Sequence, residues 1–325
     1  MAQEYSTAGD YGLKTLHEPK DAIVDIVFVH GLTGNRETTW TFKPTRQFWP
    51  QKFLPEDLPN AHIITFGYDG DIVGALKVAG SNTLRDHGKT LAHELAVSRK
   101  RSRSNHRPLI FVAHSLGGLV TEQALLVCRG SAQQYYKDVL DSTAAIAFMG
   151  TPHLGSNKAA WALPLTRLAN VLRTANKEIV QALAPGSEML ANLQQEFHSM
   201  LEDYRQNYNK TIEMFCFYEE LEVTGVGKIV SDQSAILASC PNRSIHGNHM
   251  QMTRFNSPQD PGYMAVSNQL WIWVDGIESQ QAPVPVEAGN RSSRSGYMIQ
   301  SGGGPVMLGN MSAGRDFTFN NNIRH

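Results

Sequence analysis

Short apolar stretches rich in β-branched residues recur along the chain at Ile23–Val29, Ala61–Phe66, Leu109–Ala113, Ala144–Met149 and Thr211–Tyr218. Their apolarity is nearly continuous instead of alternating, which is the pattern of strands covered on both faces. Between them, Asn82–Lys100, Leu116–Arg129 and Ser187–Gln206 carry apolar residues at helical spacing. Pro261–Ile277 opens with proline and closes beside Gly276, which predicts a last helix. Thr39–Phe53 holds Trp40, Phe42, Phe48, Trp49 and Phe53, an aromatic cover expected over the sheet edge. Strands alternating with helices predict an α/β fold: a mostly parallel, doubly wound sheet with helices on both faces.

After Ile277 the pattern stops. Ser279–Gly304 is rich in Gln, Pro, Ser and Gly and reads as a flexible linker. Pro305–His325 mixes short apolar alternation with Gly and Asn. We therefore expect one domain over 1–278, a linker over 279–304 and a separate, disordered tail over 305–325.

Composition narrows the function classes. A hydrophobic fraction of 41% and a charged fraction of 18% are ordinary for a globular chain, and a net charge of -1 gives no global attraction to nucleic acid. The basic cluster Arg99, Lys100, Arg101, Arg103 and Arg107 follows a predicted helix, where cations complement the helix dipole, and reads as a solvated turn. Cys128, Cys216 and Cys240 are too few and too scattered for a disulfide framework or a metal knuckle, and are expected as small buried residues. No metal or cofactor is expected. The polar first ten residues carry no apolar core of signal-peptide length, and no run is long enough to span a bilayer, which predicts a cytoplasmic location.

Candidate chemistry begins at residues 109–120, LIFVAHSLGGLV, where an apolar strand runs into a turn at Ser115 and a helix follows. This is the context of a nucleophile elbow. The serine hydroxyl must project from a strained turn at the carboxyl end of the sheet, and its flanking positions must be small. Gly117 and Gly118 meet that demand downstream; upstream, Ala113 stands where glycine is usual. Earlier, the first strand ends in His30-Gly31-Leu32-Thr33-Gly34, a glycine turn able to aim backbone N–H groups at a developing oxyanion. The expected donors are the amides of Leu32 and Leu116. His30 reads as a structural residue of that loop.

A general base should lie late in the chain, and His246 and His249 compete for the role in IHGNHMQMTRF. His114 is expected to point away from the site, because neighbouring strand residues face opposite sides. His153 precedes any acid, whereas the chain order for this arrangement is serine, acid, histidine; it reads as a structural or rim residue. The acid should follow Thr211–Tyr218, where Glu219, Glu220, Glu222 and Asp232 are candidates, with Glu219 and Asp232 foremost.

VFVHGLTG followed by Thr39-Trp40, then VAHSLGGLV, FMGTPHLGS, FYEE and NHMQMTRFNSPQDPGY, together resemble the lipase-like, serine-esterase domains of the serine-active-site-containing type. Similar domains in fungi stand alone or precede NOD-like receptors. The resemblance covers roughly residues 20–275. It implies the α/β-hydrolase fold, Ser115 as nucleophile, His249 as base and Glu219 as the acid, with Asp232 as the alternative, and an ester substrate, lipid esters foremost. The amphipathic stretch Ala159–Leu183 sits where this fold inserts a lid; it could meet a membrane surface or pack on the core. The tail GPVMLGNMSAGRDFTFNNN is similar to the amyloid-forming motifs that fungal lipase-like effectors share with their receptors, which implies a NOD-like receptor partner and a role in incompatibility or immune cell death. The alternative is a domain that has lost hydrolysis and acts as an interaction module.

Overall fold

In the computed structural model, the described residues are 10–31, 34–68, 72–153, 167, 186–230, 237 and 240–281. The chain begins its sheet with an edge strand, β1 (Gly12–His17), followed by β2 (Val24–Val29). A hairpin of two-residue strands, β3 (Thr41–Phe42) and β4 (Gln47–Phe48), leads into two single-turn helices, α1 (Trp49–Lys52) and α2 (Leu54–Asp57). Then come β5 (Ala61–Gly67), α3 (Ile72–Ser102), β6 (Leu109–His114), α4 (Leu116–Gly130), α5 (Gln134–Ser142) and β7 (Thr143–Met149). The described elements close with α6 (Gly186–Tyr208), β8 (Glu213–Glu219), β9 (Asn242–Ile245) and α7 (Pro261–Gln281).

The main sheet has the order β1-β5-β2-β6-β7-β8-β9. Only β1 runs antiparallel, against β5; the other pairings are parallel. Each interior strand divides its side chains between two cores, as a pleat of period two requires. Val27 and Val29 of β2, Phe111 of β6 and Phe148 of β7 face a core built with α3, α4, α5 and α6. Ile26 and Phe28, Val112 and Ala147 face the other, built with α1, α2 and α7. Helices thus cover both faces, as expected, and continuous apolarity in the strands follows from burial on both sides.

The helices obey the same logic. In α4, Val120, Ala124 and Cys128 recur every fourth residue on the buried face. In α7, Pro261 occupies the first turn, where its missing N–H costs nothing, and the Asp260 carboxylate accepts from the Gly262 amide at 2.9 Å. This helix continues to Gln281, beyond the boundary expected at Glu278.

The aromatic segment differs from its expected place. Trp40 and Trp49 pack edge-on to Phe28 of β2, with centroids 5.1 and 5.2 Å away. Because β2 lies inside the sheet, this cover sits on a face, not at the edge. Large flat rings gain most where they are wholly removed from water, and both indoles are fully buried.

Candidate active site

Parallel strands deliver their carboxyl ends to one side of the sheet, and the turns leaving β2, β6, β7, β8 and β9 gather there. At the end of β6 the chain reverses at Ser115, whose φ of 53° and ψ of -128° place a non-glycine residue in strained backbone. The turn is held by the Ser115 amide donating to the Met149 carbonyl at 2.9 Å and the Gly118 amide donating to the Ser115 carbonyl at 3.1 Å. Space is the reason for the glycines. A β-carbon on Gly117 would fall 2.3 Å from the His30 carbonyl oxygen, and one on Gly118 would fall 2.3 Å from the Thr151 hydroxyl. A β-carbon on Gly31 would lie 2.7 Å from that of Ser115, so the loop after β2 passes directly against the serine.

The ring of His249 lies over this turn. Its Nε2 is 2.9 Å from Ser115 Oγ, and its Nδ1 is 2.5 Å from Glu219 Oε2. The other carboxylate oxygen, Glu219 Oε1, accepts from the amides of Ile229 at 2.5 Å and Val230 at 3.2 Å. Glu219 therefore has a fixed orientation at the end of β8, on the same face as Phe217. Gly150, at φ 60°, leaves room for the imidazole: a β-carbon there would be 3.1 Å from the ring.

Ser115, His249 and Glu219 are 2%, 1% and 0% exposed. Ser115 sits on the strained turn at the carboxyl end of the sheet and is nearly covered there. Leu116 is the first residue of α4, so its N–H is among the helix-terminal amides without an intrahelical partner. Leu32 and Asp232, the second expected oxyanion donor and the alternative acid, lie outside the described residues, as do the lid segment apart from Arg167, and the tail. The competing candidates sit elsewhere. His246 is exposed and pairs with Glu220 at 2.9 Å, and Glu222 is exposed. Among the described residues no cluster of side chains could hold a metal ion.

Three other histidines surround the turn. His30 stacks on Tyr68 at 4.1 Å; its Nδ1 donates to the Gly31 carbonyl at 2.8 Å and its Nε2 accepts from the Tyr68 amide at 3.2 Å. Burial pushes this ring down to about 4, so it is neutral and shapes the loop. His153 faces α4 and α6, with Nδ1 3.0 Å from Gln194 Nε2 and 3.5 Å from Glu122 Oε1. His114 departs from expectation. It does lie on the opposite side of the strand from Ser115's neighbours in the α4 core, but its Nε2 reaches the carbonyl of His249 at 2.9 Å. Burial, reinforced by the adjacent His249 ring, holds His114 far below the usual histidine range, so the neutral ring donates from Nε2. No sequence signal marks this contact, which joins residues 135 apart.

A serine, an acid and a histidine brought together in that chain order by the ends of β6, β8 and β9 define the α/β-hydrolase plan. The chain belongs to the family described as "Putative serine esterase (DUF676)", whose model matches residues 20–241. The match includes Ser115 and Glu219 and stops short of His249. The chain is also similar to Protein SERAC1 of Homo sapiens, 26% identical over 70% of this chain and 35% of that protein. Against Protein SERAC1 of Bos taurus it is 26% identical over 63% of this chain and 31% of that protein. The chain thus spans about a third of the length of these relatives. Among solved structures, the RedJ thioesterase of Streptomyces coelicolor aligns with a TM-score of 0.42 and 15% identity, covering 79% of this chain and 88% of that one.

Proposed function

We propose that this domain hydrolyses carboxylic esters through an acyl-enzyme, with Ser115 as nucleophile, His249 as general base and Glu219 as the acid that orients it. The observation that carries this reading is the continuous relay of contacts from the Ser115 hydroxyl through His249 to a carboxylate fixed by two amides. His249 Nε2 takes the hydroxyl proton as Ser115 Oγ attacks the ester carbonyl. Glu219 stabilises the imidazolium that results. The Leu116 and Leu32 amides hold the oxyanion, the imidazolium protonates the departing alcohol, and water then frees the acid by the reverse sequence.

Lipid esters are the favoured class. Support comes from the amphipathic pattern of Ala159–Leu183 and the resemblance to lipase-like domains. A panel of esters of increasing acyl length, given to wild type and Ser115→Ala, tests both points. Wild type should prefer longer chains, and Ser115→Ala should lose at least about 10³-fold in rate. Equal turnover by the two proteins would overturn the reading.

The near-burial of Ser115 also favours a second reading, a binding module without turnover. Cellular activity that survives Ser115→Ala would select it. In either case we assign the tail to cross-β templating by a NOD-like receptor in the cytoplasm, with membrane association on activation. The support is its Asn-rich alternating pattern. A peptide of residues 300–325 should give cross-β diffraction; a persistently soluble, unordered peptide would remove that assignment.

A further inference from the structure

Two of the three cysteines, separated by 24 positions, meet behind the candidate acid. Cys216 lies on β8, three residues before Glu219, and its sulfur is 3.5 Å from that of Cys240, which precedes β9. Their backbones are fixed side by side: the Cys216 amide donates to the Pro241 carbonyl at 3.0 Å, next to Cys240, and Cys216 is in register with Asn242. Both side chains belong to the core on the α4 side of the sheet, so the two sulfurs share one face. The sulfurs need close by only about 1.5 Å to reach bonding distance, which side-chain rotation can supply. The chain between them leaves the strand at Glu219 and returns through Ile229 and Val230, whose amides grip Glu219 Oε1.

We propose that Cys216 and Cys240 are an oxidation site for peroxides, forming a disulfide that clasps the loop on which Glu219 is fixed. Peroxide transfers one oxygen to one sulfur, giving a sulfenic acid and releasing water. The partner sulfur attacks that sulfur and expels a second water. Two thiols and one hydrogen peroxide thus become one disulfide and two waters, and a dithiol reverses the change. The local chemistry favours the pair. Contact with Cys240, with the neighbouring His153 ring adding to it, holds the Cys216 thiol below the usual cysteine range against the opposing effect of burial. Cys240 is 8% exposed, whereas Cys216 and Cys128 are fully covered, so Cys240 is the sulfur nearest to solvent. Cys128, by contrast, is pushed up to about 12 by burial and stays a thiol.

The site is testable without any assumption about turnover. The full chain is treated with hydrogen peroxide, unfolded, alkylated and cut with trypsin, which cleaves at Lys210, Lys228 and Arg243. The expected product is peptide 211–228 joined to peptide 229–243, with Cys128 alkylated, and dithiothreitol separating the pair. Closing a loop of this size should also raise the thermal midpoint by about 5 °C over the reduced protein. Cys240→Ser should abolish both the linked peptide and the rise. Recovery of both cysteines as free thiols or as higher oxides, linkage to Cys128, or a linked protein with an unchanged midpoint would each overturn the proposal. If Cys240→Ser fails to fold, the wild-type peptide map decides alone.

Discussion

At the scale of single residues, the site depends on neutral histidines that a charge would expel. His30 and His114 are both fully buried, and each makes hydrogen bonds suited to the uncharged ring. Their folded-state affinity for protons is depressed. Between the ordinary histidine value of 6.5 and about 4 for His30, the unfolded chain binds a proton that the folded chain refuses. Stability is therefore complete above that window and is lost as pH falls through it, on the order of 3 kcal/mol from His30. Thermal unfolding followed from pH 7.5 to 4.5 should show a level midpoint down to about 6.5 and a falling one below it; a flat profile across the whole range would contradict neutral burial. His114 has a second use, because its Nε2 anchors the carbonyl of His249. His114→Phe keeps a flat ring and removes that bond, so kcat should fall about tenfold, with a stability loss of roughly 1–3 kcal/mol from the unpartnered carbonyl. An unchanged kcat would show that the His249 loop needs no such anchor.

At the scale of elements, the elbow is a packing problem between β6, α4 and the end of β2. Gly117 has no space for a methyl, since backbone oxygens of His30 and Val29 would stand 2.3 and 2.6 Å away. Gly130, at the far end of the same helix, meets nothing within 4 Å. Gly117→Ala should cost at least about 2 kcal/mol and displace Ser115, whereas Gly130→Ala should be neutral or stabilising by up to about 1 kcal/mol. Denaturant titration of the two variants separates them; equal stabilities would contradict the crowding argument. The elbow was legible in sequence because its demands are local, an apolar strand, a serine and small neighbours. The interior strands were legible for the same reason, as both their faces are apolar. What escaped was marginal in pattern. Strand β1 is half-exposed at the edge, β9 has four residues, and α5 has only Asp138, Val139 and Leu140 buried. Physically, Glu219 differs from Glu220 by the strand's alternation, which turns Glu219 inward to His249 and leaves Glu220 with Ser244 and His246 at the surface.

At the scale of the molecule, the two ends of the sheet do different work. The amino end is tied by Asp25 at the start of β2, a buried carboxylate bonded to Arg99 of α3, to Arg107 at 2.8 Å and to His62 of β5 at 2.9 Å. Burial alone would raise its pKa, but these three partners outweigh it and keep Asp25 below the usual aspartate range. Part of the basic cluster read as a solvated turn is therefore internal, because a long-range partner was invisible in the sequence. Asp25→Ala strands Arg99 without its counter-charge and should cost about 3–5 kcal/mol. Since the change is at the end of β2 remote from His30 and Gly31, kcat measured well below the unfolding transition should stay near wild type. A lost kcat in a folded variant would show that the two ends are coupled. The carboxyl end carries the central claim, that Ser115 is a nucleophile activated by His249. Exposure of the full chain to an alkyl fluorophosphonate, followed by peptide mapping, tests it most directly. The account predicts a single covalent adduct on Ser115, absent from Ser115→Ala and strongly slowed in His249→Ala. Labelling that persists in Ser115→Ala, or an unmodified Ser115 in the folded wild type, would contradict it.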